Sequence, residues 1–185
     1  MEPPGDLDRH LLCPDRLDWH GRNRGGRFDT HQGPPFGGRR KRGAFRHAIG
    51  RSRGGRTTKI HALTDEQGRP RAFQLTPGNA HDLDGARTLL SIVPCPLRLI
   101  ADRAYDARSL RDWLAERGAE AVIPPNPTRK HPHPYDVMAY KSRNLIERMF
   151  CRLKDFRRIA TRYDKLARNF LAGILIAATL TWWIN

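Results

Sequence analysis

From Gly43 onward the hydrophobic and polar positions fall into a regular pattern; before it they fall into none. Thr57-Thr-Lys-Ile-His-Ala-Leu-Thr64 alternates with period two, as a strand does. Asp65-Glu-Gln-Gly68 has turn chemistry, and Arg71-Ala-Phe-Gln-Leu-Thr76 returns as a hairpin partner. Pro77-Gly78-Asn79 interrupts the chain, and Asp82 stands where it can cap a helix reaching about Ile92. Leu97-Arg-Leu-Ile-Ala101 reads as a short buried strand that ends at Asp102. Residues 107–117 read as a helix stopped by Gly118, and Ala121-Val-Ile123 as a short strand closed by Pro124-Pro125. A polar, Pro- and His-rich loop (126–134) leads to a long helix near 139–156, and a last helix spans roughly 166–183. Strands followed by strand–helix alternation predict an α/β sheet with helices on both faces.

Residues 1–42 differ. Gly, Pro and Arg make up 20 of the 42, and Val and Ile are absent. Without apolar periodicity this stretch lacks the surface whose burial would offset the entropy of ordering it, so it is expected to be disordered. The domain is expected to occupy residues 43–185.

The long helix carries the most information. Tyr140, Arg143, Glu147 and Lys154 have the spacing Tyr-x2-Arg-x3-Glu-x6-Lys. On a helical wheel they fall at roughly 0°, 300°, 340° and 320°, one narrow stripe. Leu145, Ile146, Met149, Phe150, Leu153 and Phe156 occupy roughly 140–280° on the opposite side. A helix anchored by that apolar face presents one carboxylate ringed by a phenol and two cations. An amphipathic helix with a merely solvated charged face is the plainer alternative.

Composition narrows the partner. Lys and Arg number 34 against 19 acidic residues, giving a net charge of +15 and a pI near 10.9. An excess of that size points to a polyanion, most simply nucleic acid. At 185 residues one domain with a sizeable core is expected. Cys13, Cys95 and Cys151 show no C-x-x-C spacing, which suggests neither a zinc site nor a disulfide framework and fits a reducing cytoplasm. No signal-peptide pattern is read at the start, and the apolar run 170–184, about 22 Å as a helix, is too short for a ~30 Å membrane core. The expected location is the cytoplasm, with the nucleoid.

Asp102, at the carboxyl end of a buried strand, and Glu147, on the helix stripe, are two carboxylates on rigid elements facing a basic surface. That arrangement suits metal-assisted phosphodiester chemistry, in which two Mg²⁺ ions about 3.5–4 Å apart serve the attacking and leaving oxygens. Tyr140, Arg143 and Lys154 would hold backbone phosphates, which positions DNA without reading its sequence. His131 and His133 lie on a Pro-rich loop, where histidines are more often solvated than metal-bound.

These residues resemble the Tyr-Arg-Glu-Lys signature of DDE transposases from the bacterial insertion-sequence groups numbered four and five, at every spacing. Ile100-Ala-Asp102-Arg-Ala-Tyr-Asp106 resembles the family's second-aspartate motif. Gly50-Arg-Ser-Arg-Gly-Gly-Arg-Thr-Thr-Lys-Ile-His-Ala62, Thr76-Pro-Gly-Asn-Ala-His-Asp82 and Arg157-Arg-Ile-Ala-Thr-Arg-Tyr-Asp-Lys165 resemble it as well. The resemblance covers about residues 43–185. It implies an RNase H-like mixed sheet flanked by helices, Mg²⁺ dependence with Mn²⁺ as an alternative, and cleavage and strand transfer at terminal inverted repeats. It also implies a homo-oligomer working on the element's ends and on target DNA, away from membranes.

One part of the pattern is missing. A DDE site needs three carboxylates, and the first should lie on an opening strand upstream of Gly50 that resembles Asp-Ser-Thr-His-x-Lys-Ala-His-Arg-Ser. No such strand is read there, so the fold is expected to lack its first strand; Asp29-Thr30-His31 is the nearest in-frame candidate. Reading the codons of 27–37 one nucleotide later permits Asp, Ser, Thr, His, Ile, Lys, Ala, His, Arg and Ser in that order. Residues from about 1 to 40 are therefore read as translated out of frame, through either programmed frameshifting or a single-nucleotide lesion. The chain alone is then expected to be inactive. The rival functions are a non-catalytic basic nucleic-acid-binding protein and a structure-specific nuclease of the same fold.

Overall fold

A computed structural model describes residues 10–12, 47–52 and 55–184. Its sheet is built from β1 (His10–Leu12), β2 (Gly50–Ser52), β3 (Gly55–Thr64), β4 (Pro70–Pro77), β5 (Arg98–Ile100) and β6 (Glu120–Val122). The helices are α1 (Asp82–Ser91), α2 (Arg108–Ala115), α3 (Val137–Tyr140), α4 (Asn144–Lys154), α5 (Arg157–Ala160) and α6 (Ala167–Trp182).

The β3–β4 hairpin pairs antiparallel from Thr58↔Pro77 to Thr64↔Pro70, as the alternation predicts. Its turn is locked by the fully buried Asp65 carboxylate, which accepts from the Gln67 and Arg69 amides (3.0 and 2.8 Å) and from Arg69 Nε (2.7 Å). Gly68, at φ 78°, supplies the left-handed residue this turn requires, and its backbone runs close against Leu145 of α4. β2 pairs with the start of β3, from Gly50↔Thr57 to Ser52↔Gly55.

Beyond β3 the sheet becomes parallel. β5 and β6 pair Leu99↔Ala121 and Ile100↔Val122. Strand alternation sorts their side chains onto two cores. Ile100 and Val122, with Ile60 and Ala62, pack under α4 and α6 against Ile146, Phe150 and Ile174. Leu99, Ala101 and Ile123, with Leu63, pack on the other face against α1 and α2 through Leu89, Leu110 and Leu114. Both faces are covered, so the mixed sheet flanked by helices stands as expected.

The expectation that the first strand is missing is overturned. β1 fills the gap between β3 and β5, parallel to β5 (His10↔Arg98, Leu12↔Ile100) and antiparallel to β3 at Leu12↔Thr64. A gap there would leave amide and carbonyl groups unpaired on two strands; the three extended residues pair along β5 and meet β3 at Thr64. So short a strand carries no readable period, which is why the sequence hides it. The rest of the expectation for residues 1–42, including Asp29-Thr30-His31, lies outside the described residues.

Two further expectations are corrected. The long helix is not continuous: α3, capped by Asp136 through the Met138 and Ala139 amides (both 2.9 Å), passes into a 3₁₀ turn, Lys141–Arg143, before α4 begins. And Asp82 does not cap α1. His81 holds that place, accepting from the Leu83 amide at 3.3 Å, while Asp82 turns inward to the buried Lys59 ammonium at 2.7 Å.

Lys59 also donates to the Ala80 carbonyl (2.7 Å). His61 lies two residues along the same strand, its Nε2 2.7 Å from Thr76 Oγ1 and its ring so close to Gly85 that a Cβ there has no room. Burial, opposed by Asp82 and reinforced by Lys59, lowers the His61 pKa from 6.5 to about 4. Because the folded value lies below the unfolded one, the unfolded chain takes up the proton first on acidification. The stabilisation is complete above about pH 6.5 and is lost as the pH falls towards 4. Urea midpoints should show about 2 kcal/mol less stability at pH 5 than at pH 7 from this group, and His61→Gln should remove that part of the slope. An unchanged slope in the variant would assign the acid sensitivity elsewhere.

Candidate active site

β5 delivers Asp102. Leu99 and Ile100 anchor the strand in opposite cores, and the Ala101 amide bonds to the Val122 carbonyl at 3.2 Å. The backbone then leaves the sheet in an extended conformation, and the half-buried Asp102 caps a 3₁₀ turn, Arg103–Tyr105, by accepting from the Ala104 amide at 2.8 Å. The buried Tyr105 pins that turn to the α1–α2 core.

Glu147 sits in the first turns of α4, flanked by the core residues Ile146, Met149 and Phe150 and itself half-buried. Arg143, one helical turn back, donates Nη2 to Glu147 Oε1. The Arg143 guanidinium also lies 5.8 Å from the centroid of the Tyr140 ring, and Tyr140 meets Tyr135 edge to face at 5.7 Å. Tyr140, Arg143 and Glu147 therefore form one chain of contacts, although the first two precede α4 rather than belong to it. Lys154 is exposed on the last turn of α4, about 10 Å along the axis from Glu147. Ile100 and Ile146 share one core, so Asp102 follows one member of that core by two residues and Glu147 another by one.

The donor set is two carboxylates, which are hard oxygen ligands of the kind that Mg²⁺ and Mn²⁺ accept. Among the described residues no three His, Cys, Asp or Glu side chains come together as a metal-holding group. His131 and His133 are exposed, and His133 Nε2 lies 3.4 Å from Arg129 Nη1.

Three polar groupings carry structure that sequence reasoning did not single out. Asp106, four residues beyond Asp102, has its carboxylate almost fully buried between Arg111 Nε (2.8 Å), Arg129 Nε (3.1 Å) and the Asn126 amide (2.8 Å). Burial pushes this carboxyl's pKa upward, but the Asn126 amide and the two guanidiniums override it and hold the group below the usual carboxylate value. Arg162 reaches from the loop after α5 to Thr58 Oγ1 and the His47 carbonyl (2.6 Å), stacked at 4.8 Å on Phe170. It ties the Arg157-to-Lys165 motif to the start of the sheet. The Lys59–Asp82 pair is the third. Its signal was present: Lys59 and His61 are polar residues two apart on a strand whose both faces are covered.

The family described as "Transposase DDE domain" matches residues 28–182. The putative transposase for insertion sequence element IS6501 of Brucella ovis is 40% identical over 127 residues, covering 68% of this chain and 98% of that protein. The putative transposase for insertion sequence element IS402 of Burkholderia cepacia is 31% identical over 138 residues, and this chain spans 63% of its length. Among solved structures, the catalytic core domain of BIV integrase is similar with a TM-score of 0.48 and 14% identity, over 93% of this chain and 82% of that one. With the family matched over most of the described chain and a relative at 40% identity, this chain belongs to the DDE transposases of bacterial insertion sequences.

Proposed function

We propose that the chain is the catalytic part of a transposase that cleaves and joins DNA at terminal inverted repeats, with Asp102 and Glu147 as the acid residues. One observation carries this reading: the Tyr140–Arg143–Glu147 contact chain ends on α4, which shares its core with the strand leading to Asp102. Asp102 and Glu147 would hold Mg²⁺, or Mn²⁺ in its place. When bound, the metal pair supplies activation of the attacking oxygen and stabilisation of the leaving one.

The chain's own residues position the substrate. Arg143 keeps Glu147 in one orientation and offers its remaining N–H groups to a phosphate. Tyr140, braced by Tyr135, fixes where Arg143 can reach, and Lys154 lies along the same helix to meet the backbone further on. These contacts are independent of sequence, which suits an enzyme whose chemistry is the same at any phosphodiester. The net charge of +15 supports DNA as the partner, and two copies acting on paired ends is the arrangement that joining requires. No helix among the described residues is long and apolar enough to cross a membrane; the proposed place of action is the cytoplasm, at the nucleoid.

Residues up to about 40 we read as out of frame relative to an ancestral transposase, which removes the first carboxylate. A restored opening strand would compete with His10–Leu12 for the place beside β5. Two purified proteins, compared on supercoiled DNA carrying the element's ends with Mg²⁺, test this. One is the present chain, and the other is a fusion that restores the Asp-Ser-Thr-His frame and joins it near Gly43. Cleavage by the fusion alone is the expected result; equal cleavage by both would make an in-frame acid such as Asp29 the third ligand.

In whichever protein cleaves, Asp102→Asn and Glu147→Gln should each lower the rate by on the order of 10³-fold or more, measured as single-turnover nicking. Full activity in either variant would remove that residue from the site. DNA binding by the present chain should survive and fall by on the order of 10³-fold between about 50 and 200 mM salt. Lys154→Ala should reduce the slope of log affinity against log salt by about one, read by fluorescence anisotropy.

A further inference from the structure

The turn after β5 and the loop after β6 are both irregular, and both rim the end of the sheet where Asp102 emerges. Parallel neighbouring strands do not by themselves hold the loops that follow them together. Here a single carboxylate does. Asp106, with its side chain 1% exposed, receives Arg111 from α2 on one oxygen and both the Asn126 amide and Arg129 from the β6 loop on the other. Arg111 extends the joint by donating Nη2 to the Ile123 carbonyl at 2.7 Å, and Arg129 Nη2 donates to the Asp106 carbonyl at 3.2 Å. Each guanidinium therefore makes a second bond that fixes its own orientation. The clamp reaches the acid through four residues only, across a 3₁₀ turn whose Tyr105 is buried.

We propose that Asp106 is a positioning residue: its buried carboxylate clamps the 124–135 loop onto the Asp102 turn and so fixes both the aim of Asp102 and the approach of the chain to Tyr140. A rigid joint of this kind is what a two-carboxylate metal site requires, since ligand direction must be held to a few tenths of an ångström. An ionic joint suits the place better than an apolar one, because the loop backbone needs directed partners for its amides. The clamp also fixes a basic loop, with Arg129, Lys130, His131 and His133, beside an acidic turn.

The link to Asp102 as a ligand rests on the proposed function; the clamp itself does not, and the test separates the two. The full chain is compared with Asp106→Asn, Asp106→Glu, Arg129→Gln and Asp102→Asn, each checked for folding by circular dichroism. Trypsin cleavage after Lys130, a site every variant keeps, reports release of the loop, and Mn²⁺ titration followed by electron paramagnetic resonance reports the Asp102 site. Asp106→Asn should raise loop cleavage by on the order of tenfold while the core stays resistant. It should weaken Mn²⁺ binding by about tenfold, as loss of a group that orients a ligand does. Asp106→Glu should restore part of both, and Arg129→Gln should release the loop even if Asp106→Asn fails to fold. A loop cut at the original rate in both Asp106→Asn and Arg129→Gln overturns the clamp. Released loops with unchanged Mn²⁺ affinity overturn its action on Asp102. If Asp102→Asn leaves Mn²⁺ binding unaltered, the assignment of Asp102 as ligand fails, and the trypsin result alone decides the clamp.

Discussion

Both faces of one sheet are covered, and from that constraint the rest of the molecule follows. Leu99 and Ile100 are adjacent in sequence and lie in separate cores, as do Val122 and Ile123. A strand buried on both sides carries charge only at its ends or matched to a partner inside. Asp102 therefore appears at the first position where β5 leaves the sheet, and Asp106 at the close of the turn that follows. The charges that remain inside are each matched: Lys59 with Asp82, Asp65 with Arg69, Asp106 with Arg111 and Arg129. In a chain with 34 basic and 19 acidic residues, those internal pairs draw on the scarcer sign.

How much of this was legible in the sequence depended on the length of the repeating pattern. The β3–β4 hairpin alternates over enough residues for a period of two to be read, and α4 has an apolar stripe from Ile146 to Leu153 that matches its buried face. β5 and the position of Asp102 at its end were legible from five consecutive residues bounded by turn chemistry. β1 was not, because three residues have no period, and its place was determined by the unpaired edges of β3 and β5 rather than by its own composition. The cap at Asp82 was misread for a related reason. Local rules favour an aspartate at a helix start, but a buried ammonium on the neighbouring strand makes a stronger claim on that carboxylate than an amide does, and His81 is one residue away to replace it.

The candidate site was legible as a set of residues and less so as a shape. Tyr140, Arg143 and Glu147 meet as the helical wheel suggested, yet the wheel assumed an unbroken helix. The 3₁₀ turn at Lys141–Arg143 winds more tightly than an α-helix and so shifts the phase of Tyr140 relative to α4. The contact survives because tyrosine and arginine are long enough to absorb the change in phase. Asp106 was visible in the sequence only as part of a motif. Nothing local distinguishes it from the surface aspartates of other turns, since its partners come from 5 to 23 residues further along the chain.

The Arg143–Glu147 pair differs in kind from the buried ones. Both partners remain partly exposed, Arg143 at 21% and Glu147 at 40%, so an i,i+4 pair like this is worth no more than about 1 kcal/mol. That is enough to bias a rotamer and too little to hold Arg143 against a phosphate. An arginine so placed can exchange one partner for another at small cost. A buried pair such as Lys59–Asp82 could not make that exchange, because separating it would leave two charges without water. The exposure of one pair and the burial of the other thus divide the charged residues into those that can trade partners and those that hold the frame.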